Sequence, residues 1–262
     1  MMSVIKYLRS YLEQGKKGLI LLVDPDELGR DDYRARLSVQ LQNQVCDLVL
    51  VGGSLVHDTH YDERVNWLRQ EVKCPLVLFP GSPSQLHPAV DAVLFLSLVS
   101  GRNPEYLIGQ HVIAAPKIRE YKLETIATGY MLIDGGKPTT ASYMSNTSPI
   151  PRDKNGIAAS TAMAAEMLGM QTLYLDAGSG AAIPVPAEMI ASVRQVSALP
   201  LIVGGGIRSI HEAQRSLNAG ADFVVIGSLF EKEPELIAEF SRGLILDVAT
   251  QSKQSISKKA QS

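Results

Sequence analysis

PLIVGGGIRSIHEAQRSLNAGADFVVIGS, residues 200–228, carries two apolar runs with an amphipathic segment between them. Neither run alternates polar with apolar residues, so each reads as a strand covered on both faces, the condition of strands in a parallel sheet. SIHEAQRSLNAG spaces its apolar residues as a helix does and stops at Gly220. The stretch is therefore a strand–helix–strand unit of the kind that builds parallel α/β folds.

The same alternation extends in both directions. GLILLVD (18–24), DLVLVGG (47–53), PLVLFP (75–80), DAVLFLSL (91–98), TGYMLID (128–134) and TLYLDAG (172–178) are the other strand candidates, with helix-like segments between most of them. Eight strands with helical crossovers in 262 residues predict a (βα)8 TIM barrel, an open doubly wound sheet being the alternative. One domain is expected over 1–248, followed by a polar tail, 249–262, that frays. Two spacings are abnormal. Only GSPSQLHPAV separates strands three and four, too little for a crossover helix, so the third outer helix is expected to be missing or reduced to an irregular strap. After strand five, DGGKPTTASYMSNTSPIPRDKNG (134–156) is long enough to be a lid or binding loop.

Composition narrows the functional classes. Hydrophobic residues make up 45% and the net charge is −2, which is ordinary for a globular protein and offers no basic face to nucleic acid. Cys46 and Cys74 fit no metal or redox spacing and are expected to be buried thiols in a reducing compartment. The first residues lack the apolar core of a signal peptide, no stretch is apolar enough to span a bilayer, and a cytoplasmic location is expected.

In a barrel, chemistry gathers where the strands' C-terminal ends open into loops. The last three strands end in Asp176-Ala177-Gly178-Ser179-Gly180, Gly204-Gly205-Gly206 and Ile226-Gly227-Ser228. Glycines let backbone N–H groups converge on an anion, and the Ser179 and Ser228 hydroxyls add donors, so the three turns predict a phosphate cup. Asp176 would repel that phosphate but suits a hydroxyl a few bonds away. It is either a general base for a substrate alcohol or a structural cap at the turn. Across the mouth, strand one ends at Asp24 before Pro25, and strand two brings Ser54 beside it. A carboxylate with a hydroxyl and open positions suits Mg²⁺, although DPD also reads as a plain turn. Asp26 and Glu27 are expected to face solvent, as are His57 and His60, placed on a helix. Arg102 is a candidate for binding diphosphate, Arg208 is expected to face solvent, and Arg152 and Lys154 sit on the long loop. No strand candidate contains lysine, which argues against a Schiff-base aldolase.

LLVDPDE, VGGSL, FLSLVSGRNPEYLIGQH, TGYMLIDGG, SYMSNTSPIP, YLDAGSGA, VGGGIRS and IGS together resemble the geranylgeranylglyceryl phosphate synthase family, in its second, partly bacterial group, over residues 10 to 245. The resemblance implies a prenyltransferase on a barrel without an ordinary third helix. It would join the 3-hydroxyl of sn-glycerol 1-phosphate to geranylgeranyl diphosphate through an ether bond, with Mg²⁺, releasing diphosphate. The family's metal residues fall on Asp24 and Ser54. Its glycerol-phosphate segment falls on Tyr174, Leu175, Asp176, Ala177, Gly178, Ser179 and Gly180, completed by Gly205, Gly206, Gly227 and Ser228. The family base, usually glutamate, falls on Asp176, shorter by about 1.5 Å. A prenyl tail would leave through the gap of the third helix, lined by side chains such as Tyr106, Leu107 and Tyr130. The resemblance also implies a homo-oligomer, dimer or hexamer; transient contact with a membrane surface is a separate expectation, from the oily donor. Three alternatives remain at this stage: the related heptaprenylglyceryl phosphate synthase, a metal-independent sugar-phosphate isomerase or lyase, and a non-catalytic phosphometabolite-binding protein.

Overall fold

All eight apolar runs form strands, each hydrogen-bonded in parallel to the next until β8 closes on β1. In this computed structural model, residues 3–244 are described. The order is α1 (Val4–Glu13), β1 (Gly18–Val23), α2 (Asp31–Gln42), β2 (Leu48–Val51), α3 (Tyr61–Glu71), β3 (Leu76–Leu78), β4 (Ala92–Leu98), α4 (Gln110–Tyr121), β5 (Glu124–Leu132), α5 (Thr140–Ser145), α6 (Asn155–Met167), β6 (Thr172–Asp176), α7 (Ala187–Val196), β7 (Leu201–Gly204), α8 (Ile210–Asn218), β8 (Phe223–Ile226) and α9 (Ser228–Lys232). The expected tail, 249–262, lies outside the described residues, as do 245–248 of the expected domain.

The strand pattern explains two cores. Along β1, Leu19, Leu21 and Val23 join the layer between sheet and helices, while Ile20 faces the barrel interior. The interior also takes Leu48, Leu50, Val77, Leu94, Tyr174 and Val225, closed from the N-terminal end by Val4 and Leu8 of α1. Burying both faces is why these strands read as continuous apolar runs. β5 begins earlier than its apolar run, at Glu124, whose carboxylate accepts from Ser3 Oγ, Val4 N and Ile5 N. A polar strand start thus satisfies the orphan donors of α1.

The third outer helix is absent, as the spacing requires; a single 3-10 turn, Pro83–Gln85, lies between β3 and β4. β3 pairs with β4 at only two positions, Val77–Ala92 and Leu78–Val93, whereas β4 continues along β5 as far as Leu98–Tyr130. The wall therefore opens between β3 and β4 above Leu78. The long loop after β5 contains α5, capped by Thr139 and Ser142 in a capping box. It is strapped to the barrel where Ile150 N–H donates to Leu132 O and Asp134 N–H to Ile150 O.

Candidate active site

β6 delivers Asp176 to the mouth. Tyr174, two residues earlier, points into the barrel, so the two-residue period puts Asp176 on the same inner face. The carboxylate is almost fully buried, at 6% exposure. Its Oδ2 accepts from Tyr130 Oη at 2.7 Å and its Oδ1 from Gly178 N at 2.7 Å. Burial pushes its pKa above the usual carboxylate range, and the Tyr130 and Gly178 donors pull it partly back. Tyr130 arrives by register: it pairs with Tyr174 as Leu132 pairs with Asp176. Phe79 stacks on Tyr174 at 5.2 Å and meets Tyr130 edge-on at 5.8 Å, which fixes both rings.

Beside Asp176 the glycine turns converge. Gly178, Gly180, Gly205 and Gly206 all have positive φ. At Gly205 a Cβ would lie 2.5 Å from Gly178 N and 2.6 Å from Asp176 Oδ1, so glycine there is a requirement of close approach as well as of conformation. Ser179 Oγ and Ser228 Oγ, from different loops, come within 3.4 Å of each other. Gly227 directly precedes Ser228 at the start of α9. The three turns from which a cup is expected thus lie side by side, and Ala177 between Asp176 and Gly178 is buried.

Across the mouth, Asp24 Oδ1 accepts from Asp26 N at 3.0 Å. A Cβ on Gly53 would lie 3.2 Å from Asp24 Oδ2, so the missing side chain leaves that oxygen a free approach next to Ser54. Burial raises the Asp24 pKa, the Asp26 N–H opposes this, and the Asp26 and Glu27 charges raise it further. Burial, then the charges of Asp24 and Glu27, push Glu231 up to about 7. This negative face suits a divalent cation. Among the described residues no three His, Cys, Asp or Glu side chains could jointly hold a metal, so an ion there would take further ligands from water and substrate, the habit of Mg²⁺.

The opening between β3 and β4 is an apolar trench. Phe79, Phe95, Leu98, Tyr130 and Ala114 line it, Gly53 and Ser54 stand at its mouth, and Ala141, Met144 and Ser145 of α5 roof it. Tyr106 lines it too and donates through its hydroxyl to Met144 O, tying α5 down. Leu107 instead lines a separate groove between the β4 loop and α6.

Several expectations are corrected. Asp26 does not face solvent: both its oxygens accept from His57 N and one also from Asp58 N, which holds the loop after β2. His57 and His60 are exposed but precede α3 instead of lying on it. Arg102, on the loop after β4, donates to Val99 O and Gly101 O and lines the groove against α6 instead of the trench. Arg208 is exposed, as expected, and also donates to Ala181 O and Ala182 O, while Arg152, on the long loop, donates to Asp134 O and Pro184 O. Cys46 and Cys74, which fit no spacing in the sequence, meet at 4.0 Å. Tyr130 is the residue sequence reading undervalued, as a groove wall; its signal is the register of β5 on β6.

The PcrB family model matches residues 12–244. The chain belongs to the PcrB family. It is 48% identical over 239 residues to the geranylgeranylglyceryl phosphate synthase of Chitinophaga pinensis, covering 90% of this chain and 94% of that one. It is also 48% identical to the enzyme of the same name from Spirosoma linguale, covering 89% and 94%. The crystal structure of (S)-3-O-geranylgeranylglyceryl phosphate synthase from Thermoplasma acidophilum, in complex with its substrate sn-glycerol-1-phosphate, superposes with a TM-score of 0.84 at 29% identity, covering 95% of this chain and 99% of that one. The resemblance read from the strand-end motifs therefore holds across this PcrB family chain. Among the described residues no helix is long and apolar enough to cross a membrane.

Proposed function

We propose that this protein is a geranylgeranylglyceryl phosphate synthase, forming the ether bond between the 3-hydroxyl of sn-glycerol 1-phosphate and the first carbon of geranylgeranyl diphosphate. The observation that carries the reading is Asp176, a buried carboxylate that lies against the glycine turns at Gly178 and Gly205 and accepts from Tyr130, a wall of the apolar trench.

The cup fixes the phosphate through the backbone at Gly205 and Gly206 and the hydroxyls of Ser179 and Ser228, turning the free primary hydroxyl toward Asp176. The C–O bond forms at the prenyl carbon as the bond to diphosphate breaks, and Asp176 takes the hydroxyl proton. Its raised pKa makes it a stronger base than an exposed aspartate. Tyr130 holds the accepting carboxylate in place from behind. Asp24 and Ser54 would hold Mg²⁺, which supplies charge to offset the departing diphosphate. Arg102 has no part in this scheme.

The trench suits the four-unit donor. Val93 to Leu98 along its wall spans about 17 Å at strand rise. An extended geranylgeranyl chain reaches on the order of 19 Å, whereas a seven-unit chain needs roughly 34 Å and would run past Ile118. The exposed apolar side chains of Ile108, Val112 and Ile113 belong to the same reading, as a contact face in a homo-oligomer.

Incubation with labelled sn-glycerol 1-phosphate, geranylgeranyl diphosphate and Mg²⁺ should give the ether product, and EDTA should abolish it. Equal turnover without a divalent ion, or no product with any prenyl diphosphate, would refute the proposal.

A further inference from the structure

Cys46 and Cys74 lie at the opposite end of the barrel from the chemistry described above, on the segments leading into β2 and β3. Their sulfurs are 4.0 Å apart. We infer that these two thiols form a reversible disulfide modification site that clips the base of β3 to β2.

The strand pairing brings the two segments together: Val49 pairs with Leu76, so the residues just before β2 lie beside those just before β3. The sulfurs already stand 4.0 Å apart, so a bond of about 2.05 Å requires them to close by about 2 Å. Their accessibility differs in the useful direction. Cys46 is 8% exposed, whereas Cys74 is only partly buried. The contact with Cys46, then a backbone N–H and the charge of Arg69, favour the Cys74 thiolate against its burial and the charge of Asp47, while contact and burial hold Cys46 protonated. Cys74 is therefore the attacking sulfur and Cys46 the resolving one.

With a peroxide as oxidant the balance is simple. The Cys74 thiolate attacks a peroxide oxygen and releases hydroxide, giving a sulfenic acid. The Cys46 sulfur then displaces that hydroxyl as water, and the S–S bond forms. Two electrons and two protons pass from the thiols to one hydrogen peroxide, which becomes two waters. A dithiol reverses the step.

The consequence falls on the weakest part of the wall. β3 is three residues long, pairs with β4 at only two positions and has no outer helix after it. A bond at its base closes a loop of about 28 residues between Cys46 and Cys74, constraining the unfolded chain.

The test is to treat the full chain with hydrogen peroxide and, separately, with glutathione disulfide, then measure intact mass, peptide linkage and Tm. The expected result is loss of two hydrogens, a Cys46–Cys74 linked peptide, and a Tm rise of roughly 5 °C that dithiothreitol reverses. Cys74→Ser should show no linkage and no rise. Cys46→Ala should leave Cys74 as a sulfenic acid or a mixed disulfide with glutathione, confirming the order of attack. Two thiols still titratable after treatment, a bond between chains, or over-oxidation of wild-type Cys74 with Cys46 untouched would each overturn the inference. Prenyl transfer, at the far end of the barrel, serves as the folding control.

Discussion

Replacing Tyr130 with phenylalanine removes one oxygen and leaves the ring edge-on against Phe79 and Tyr174. The lost contact is a 2.7 Å donor to a buried carboxylate. Hydrogen bonds to charged groups contribute about 1.5–3 kcal/mol. Because this one stabilises the ionised form of Asp176, its loss raises the carboxyl pKa further, by about 1–2 units at 1.36 kcal/mol per unit. Asp176 must be ionised to accept the hydroxyl proton, so the acid limb of kcat/KM moves to higher pH by the same amount. At a pH below that limb the variant turns over about 10–100 times more slowly than wild type, and the gap narrows as pH rises. The assay is initial-rate ether formation at saturating Mg²⁺ across a pH series, with Tyr106→Phe as the control for loss of a hydroxyl elsewhere in the trench. Superimposable pH profiles for Tyr130→Phe and wild type, or a shift of the limb to lower pH, would refute the role given to Tyr130 and with it that of Asp176.

Asp176→Asn should keep the fold and lower kcat by about 10²–10⁴-fold, the usual contribution of a positioned base; retention of more than a tenth of wild-type kcat would count against it. Gly205→Ala places a methyl against Gly178 N and Asp176 Oδ1, so the KM for sn-glycerol 1-phosphate should rise at least tenfold while affinity for the prenyl donor changes little; unchanged KM would contradict the cup. Ala114→Phe narrows the trench, and a donor series should shift toward shorter chains, with no shift if the tail lies elsewhere. Glu231 has a folded pKa near 7 against an ordinary value near 4.5. The folded state thus binds the extra proton between those values, and stability falls as pH rises through that window. Wild-type Tm without divalent ions should drop from pH 4.5 to 7 more than that of Glu231→Gln, and parallel curves would reject this.

Much of this was legible from the chain because burial on both faces writes itself into strands as unbroken apolar runs. The ten-residue gap before Asp91 likewise announced a missing helix, since no crossover fits there. Three glycine turns at neighbouring strand ends were legible too, and the structure brings them together beside Asp176. What stayed hidden depended on side-chain direction across elements distant in sequence. Asp26 holding the His57 backbone, Arg208 bracing Ala181, and Tyr130 on Asp176 each join separate strand ends, and no local pattern records them. Arg102 is a further case: only the structure shows that it lines the groove against α6 instead of the trench. Cys46 and Cys74, 28 residues apart, become neighbours only once β2 pairs with β3.

The most direct measurement is a crystal structure with sn-glycerol 1-phosphate and a non-hydrolysable geranylgeranyl diphosphate analogue. The phosphate should lie within hydrogen-bond distance of Ser179 and Ser228, with the glycerol 3-hydroxyl on Asp176 and the tail between Phe95 and Ala114. A tail outside the β3–β4 opening, or a glycerol hydroxyl turned away from Asp176, would contradict the account.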